Sequence, residues 1–209
     1  MTSPRSARSE SDAEFSPGAG RIDRAFWAVL LLAALTGIAL TTIQIVEKIS
    51  ILNDPFTSLA CDVNSTLSCS NVLSAWQSSV LGPPNALIGA VMFALLASAA
   101  LAGLLGGALS RAYLALMWAL AVLFLCFASW FMFETAFSIG AVCIWCVGIT
   151  TAVVVCCAAL TRLADRSGAF GDTAVGRGVA ALVRTRADLA GWAVWWLVIA
   201  AFLWIGLAT

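Results

Sequence analysis

Cys143 and Cys146 stand at the two ends of the tetrapeptide CIWC, ahead of a stretch without charge until Arg162. Two thiols at that spacing either bind a metal or exchange electrons as a dithiol. At the start of a helix, unpaired N–H groups and the positive end of the helix dipole favour the thiolate. The thiolate is the nucleophile of disulfide exchange. Helix rise sets Cys146 about 4.5 Å deeper than Cys143. The outer thiol is therefore placed to exchange with another cysteine, and the deeper one to face something held among helices.

A second pair, Cys61 and Cys69, lies upstream in ACDVNSTLSCSNV. Alone it reads as a structural disulfide; together with CIWC it reads as one half of a two-pair relay. A four-cysteine zinc site is set aside because its C-x7-C half has nonstandard spacing, and no metal is expected. The chain has no histidine to ligate haem and no Rossmann or P-loop glycine pattern, so a lipid-soluble electron acceptor fits the location best.

The elements that hold these thiols are membrane helices. The 209 residues are 62% hydrophobic and 11% charged, with a mean hydropathy of +0.99, far too apolar for a soluble domain. A crossing helix takes about 20 apolar residues, and charge-poor windows predict five, at about 25–46, 86–109, 112–133, 142–160 and 189–207. The fold class expected is an all-α integral membrane protein, with a disordered cytoplasmic tail at 1–24, a membrane domain at 25–209 and an outer loop at 47–85. The first apolar run is too long for a signal-peptide core, so the N-terminus is expected to be kept. With that terminus cytoplasmic, ten of the eleven basic residues fall inside and only Lys48 outside, as the positive-inside rule requires. All four cysteines of the two pairs then face the compartment where disulfides persist, as does the C-terminus. Cys126, Cys156 and Cys157 fall within apolar helices and read as inert small hydrophobes.

The outer segment carries further signals. Asn53-Asp54-Pro55 marks a turn. Residues 70–79 suit a short half-buried helix, with Val72, Leu73, Ala75 and Trp76 on its apolar side, lying over a cavity. After Gly82-Pro83-Pro84, Asn85 reads either as a helix N-cap or as a polar group at the edge of an apolar pocket. Trp130, Phe131, Phe133, Phe137 and Trp145 read either as interfacial aromatics or as pocket walls. Between the last two spans, TAVGRGVAALVRTRADLAG suits an amphipathic helix on the inner membrane surface.

CDVNSTLSCSNV, NALIG and CIWC together resemble the vitamin K epoxide reductase family, in its bacterial branch, over about residues 61–151. The resemblance implies a four-helix bundle around a quinone plus one additional helix, in a bacterial inner membrane. It implies that Cys61 is attacked by a reduced partner, that Cys69 forms a transient disulfide with Cys143, and that Cys146 adjoins the quinone. Asn85 matches the asparagine that hydrogen-bonds a quinone carbonyl, and Leu73 an apolar position of the capping helix. Thr150 stands where animal members have a quinone-contacting tyrosine. The function so implied is a quinone-dependent thiol oxidase, with menaquinone or ubiquinone as acceptor, supporting disulfide formation. Many bacterial members carry a thioredoxin-like domain after the fifth helix. Because the sequence ends at Thr209, the partner is expected to be a separate exported thioredoxin-fold protein of the DsbA type. The rival functions are reduction of a quinone or its epoxide for its own sake, and a non-enzymatic membrane protein with structural disulfides. A transporter is disfavoured, since no charge marks a mid-helix ion path.

Overall fold

The computed structural model describes residues 17–171 and 173–208. In chain order the helices are α1 (Pro17–Asn53), α2 (Cys69–Ser74), α3 (Asn85–Leu104), α4 (Arg111–Glu134), α5 (Ile144–Arg166), α6 (Ala174–Thr185) and α7 (Ala187–Ala208). Of these, α1, α3, α4, α5 and α7 are long and apolar enough to cross a membrane. The chain is an all-α, multi-pass membrane protein.

Hydropathy located the five spans but not all of their ends. The expected tail at 1–24 falls outside the described residues as far as residue 16; from Pro17 the chain is helical. At its other end α1 continues to Asn53, which places Glu47 and Lys48 in the helix rather than in an outer loop starting at residue 47. Gln, Glu and Lys are good helix formers, and each of these side chains finds a partner, so nothing stops the helix where the apolar run stops. α5 likewise runs to Arg166 because its arginines are paired. α3 ends earlier than expected, at Leu104, where Gly106 takes a left-handed φ of +81°.

α5 is the centre of the bundle: 61% of its spanning window is buried, against 6% for α7. α1 lies along α3 and α5, and α4 lies along α5. Close approach depends on small residues, since a Cβ on Gly37 would stand 2.4 Å from the Phe93 ring. α7 leans on this four-helix bundle through two indole hydrogen bonds, Trp195 Nε1 to Ser129 Oγ (3.0 Å) and Trp196 Nε1 to Thr151 Oγ1 (2.9 Å). Cys156 and Cys157 are buried in the core cluster, and Cys126 is exposed on α4.

The cysteine pairs sit at one end of the bundle and arginines gather at the other. There Arg166 pairs with Asp23, and Arg111 lies against Gly168. Arg162 donates two hydrogen bonds to Asp188, at 2.8 and 2.7 Å, with its guanidinium over the Phe26 ring. Both partners are buried. Removing one leaves the other charge uncompensated, which costs about 3–5 kcal/mol. Asp188→Ala is therefore expected to lower stability by about 3 kcal/mol, read as a drop in the unfolding midpoint of the detergent-solubilised protein. The amphipathic segment expected between the last two spans forms α6, capped by Thr173 Oγ1, which accepts from Gly176 N.

Candidate functional site

The loop after α1 is organised by Asp62, the residue following Cys61. Its carboxylate accepts from Leu59 N (2.8 Å), Ser68 Oγ (3.0 Å) and Ser70 N (3.0 Å), and from Ser70 Oγ. These bonds fold residues 59–70 into a compact turn in which Cys61 and Cys69 are joined by a disulfide. Burial pushes the Asp62 carboxyl up, but the hydrogen bonds from Ser70, Leu59 and Ser68 outweigh it and hold the group at about 2, below its ordinary 3.8. A carboxylate held below its unfolded value stabilises the loop at all pH above about 4. That support is lost as the pH falls toward 2. The rate at which a phosphine reduces the Cys61–Cys69 disulfide, relative to a small disulfide, is expected to stay flat from neutral to about pH 4 and to climb below it. In Asp62→Asn, whose single oxygen cannot replace two, it should be raised above about pH 4 and lose the climb below it.

Beyond the turn, Ser68 caps α2, its Oγ accepting from Asn71 N at 3.2 Å. The predicted capping helix is present in two parts, α2 and a 3-10 turn at Trp76–Ser79. Lys48 Nζ, on α1, donates to Leu73 O and to Ser78 Oγ (3.1 Å) and so ties this cap to the bundle.

Two features bring the second pair to the first. α4 ends in a π-helical turn, Thr135–Ile139, closed by Gly140 with a left-handed φ of +68°. The chain then runs beside the loop in a parallel bridge between Leu67 and Val142, with Ser68 N donating to Val142 O (3.1 Å) and Val142 N to Thr66 O (2.7 Å). Cys69 and Cys143 thus follow directly on two hydrogen-bonded segments and lie in one buried cluster with Cys61 and Cys146. Cys143 occupies the N-cap position of α5. The Cys146 thiol beside it, followed by the Cys146 N–H, pulls the Cys143 thiol below the usual range, against the effect of burial. That is the behaviour expected of a thiol at a helix head.

Cys146 faces a void of about 50 Å³ lined also by Thr41, Gln44, Asn85, Phe131, Met132 and Thr150. Asn85 is not the N-cap of α3; Pro84 holds that position. The Asn85 side chain instead donates from Nδ2 to Gln77 O at 2.6 Å, leaving its buried Oδ1 without a partner. Asn85 also borders a cleft of about 290 Å³ with Leu81, Ile88, Leu123 and Phe127, so it separates the Cys146 void from the outer face of α3 and α4. Thr150 lines the void, but its hydroxyl donates to Cys146 O at 2.9 Å. Leu73 borders a smaller adjoining space together with Lys48 and Cys146. Of the aromatics singled out in the sequence, Phe131 lines the Cys146 void. Phe133 and Phe137 pack with Phe202 of α7, Trp130 with Phe127, and Trp145 turns toward Glu47.

Thr41, Gln44 and Glu47 belong to this site without standing in any of the sequence motifs above. Thr41, Gln44, Glu47 and Lys48 recur at three- and four-residue spacing, which places them on one face of α1, and the first three are buried. Gln44 Nε2 lies 2.7 Å from Cys146 Sγ and 3.6 Å from Cys143 Sγ. Glu47 Oε1 accepts from Trp145 Nε1 at 3.0 Å and lies 3.4 Å from Cys61 Sγ. The signal in the sequence is polar residues at helical spacing across the end of the first apolar run, Thr41 and Gln44 inside the 25–46 window and Glu47 just beyond it.

The arrangement joins a loop disulfide, a helix-head dithiol and a partly polar void in one continuous buried path. The family model of the Vitamin K epoxide reductase family matches residues 28–161, more than half of the chain, and spans all four of these cysteines. No curated protein matches.

Proposed function

The chain belongs to the Vitamin K epoxide reductase family, and from that premise we propose that this membrane thiol–disulfide oxidoreductase is a quinone-dependent thiol oxidase. It takes two electrons from a separate, exported thioredoxin-fold protein of the DsbA type and delivers them to a membrane quinone, menaquinone or ubiquinone. The observation that carries this reading is the tether of Cys69 beside Cys143, with Cys146 opening on the void.

A partner thiolate attacks Cys61 Sγ, forming a mixed disulfide and releasing Cys69 as thiolate. Cys69 attacks Cys143 of the oxidised CIWC pair and releases Cys146. The partner's second thiolate closes the partner disulfide and frees Cys61, which then closes on Cys69 and frees Cys143. Two electrons now reside on Cys143 and Cys146. This is the pairing found here, with Cys61–Cys69 joined and Cys143 and Cys146 free. The quinone supplies the acceptor, taking up two electrons and two protons while Cys143 and Cys146 return to the disulfide.

The residues around Cys146 suit such a head group. Gln44 offers an amide, Asn85 Oδ1 is a buried acceptor in want of a donor such as a quinol hydroxyl, and the cleft beside Asn85 leads to the lipid face. The void of about 50 Å³ lies directly against Cys146, Gln44 and Asn85. The arginines at the opposite end support a topology with the cysteines outside the cytoplasm, where disulfides persist.

The test is quinone reduction by the purified protein given a reduced DsbA-type partner. One quinol per partner disulfide is expected. Net reduction of the partner at the expense of quinol would reverse the direction. No exchange with any quinone would sink the reading.

A further inference from the structure

We propose that Glu47 is the base that removes the proton of Cys61 when this thiol closes on Cys69 to complete the loop disulfide. The step belongs to the relay above and rests on it. Cys61 leaves the partner as thiolate, but a free thiol has a pKa of about 8.5, so at neutral pH it takes a proton from water before it closes, and closure then requires a base at its sulfur. Glu47 is there: Oε1 and Oε2 lie 3.4 and 3.6 Å from Cys61 Sγ. The chain has no histidine. Asp62, next to Cys61 in sequence, has both oxygens taken by Leu59, Ser68 and Ser70. Lys48 is spent on the cap.

The step balances within the protein. The Cys61 proton passes to Glu47; the Cys61 electron pair forms the bond to Cys69 Sγ; the Cys69–Cys143 bond breaks, and its pair leaves on Cys143 as thiolate. Nothing is oxidised or reduced overall, since one disulfide replaces another. The structure holds the product arrangement, with Cys61 bonded to Cys69 and Glu47 against the sulfur it has served. Trp145 gives Glu47 its place. This residue, inside CIWC, donates to Oε1, so the base for the loop pair is anchored by the pair that receives the electrons.

The experiment compares the native chain with Glu47→Gln in quinone reduction driven by the reduced partner, from pH 7 to 9.5. Glutamine keeps the volume and an oxygen for Trp145 but takes no proton. General-base catalysis is worth about 10²–10⁴-fold, so a fall of about 100-fold at pH 7 is expected, with the Cys69–Cys143 crosslink accumulating in mass spectra of quenched samples. The deficit should shrink to less than about tenfold at pH 9.5, where Cys61 ionises unaided. The other titratable groups around the pocket are common to both chains: Lys48 on α1, Asp62 in the loop, Cys69 on α2, Glu134 on α4, and Cys143 and Cys146 at the head of α5. A Glu47→Gln chain within twofold of native at pH 7 overturns the proposal. So does a deficit equal at every pH, which marks a structural role or a misfolded chain. A native chain that reduces no quinone brings down the relay and this step with it; an active native chain with an unimpaired Glu47→Gln brings down the step alone.

Discussion

Cys146→Ala is expected to stop quinone reduction, by on the order of 10³-fold or more, as removal of an essential nucleophile does. Cys146 is the cysteine whose side chain lines the void beside Asn85 and Gln44; Cys143 is fully buried above it, against the loop. The variant keeps the Cys61–Cys69 disulfide and its surroundings, so it should still accept electrons from a reduced partner, but once. The expected trace is a burst of about one equivalent of partner oxidised, followed by no turnover and no quinol. Loss of the burst as well would place Cys146 in the structure of the loop rather than at the end of the relay. Sustained turnover would mean that electrons leave by another route.

The second large effect belongs to Gln44. Its Nε2 stands 2.7 Å from Cys146 Sγ, so it donates to the sulfur on which negative charge collects when Cys69 displaces it from Cys143. A hydrogen bond to a charged group is worth about 1.5–3 kcal/mol, or about 10- to 150-fold in a rate limited by that charge. Gln44→Leu, close in size and without a donor, should lower kcat for quinone reduction by at least about tenfold while KM for quinone changes little. Alkylation of Cys146 in the reduced protein should slow in parallel. Unchanged kcat with a raised KM would make Gln44 a contact to the quinone instead of to the thiolate.

The parts legible in the sequence were those written as strong local patterns. Five apolar runs gave five spanning helices. The CIWC spacing put Cys143 at a helix head, where it is found with its thiol pulled down. Illegible were the features made by packing. A polar side chain near the end of an apolar run says nothing of whether it will meet lipid, water or sulfur. Only once α1 lies along α5 do Gln44 and Glu47 find Cys146, Cys61 and Trp145. Asn85 shows the same limit from the other side. Its position just ahead of the expected helix at 86–109 suited a cap, but the 3-10 turn at Trp76–Ser79 brings Gln77 O within reach, and the amide spends its donor there.

The backbone bridge between Leu67 and Val142 divides the loop into a part that stays and a part that moves. Its hydrogen bonds involve no sulfur, so breaking the Cys61–Cys69 disulfide leaves them intact. Cys69 remains docked at the head of α5, at the high effective concentration of a reactant held in place, so the proposed exchange with Cys143 needs no diffusive search. Cys61, upstream of the bridge, carries the freedom instead. It is buried in the closed loop, so the proposed exchange with an external protein requires it to swing outward with the segment after α1. In the proposed relay, traffic with the partner and traffic within the bundle thereby fall to different sulfurs of one pair. A bulky thiol reagent should accordingly distinguish them, capturing Cys61 first in the reduced protein.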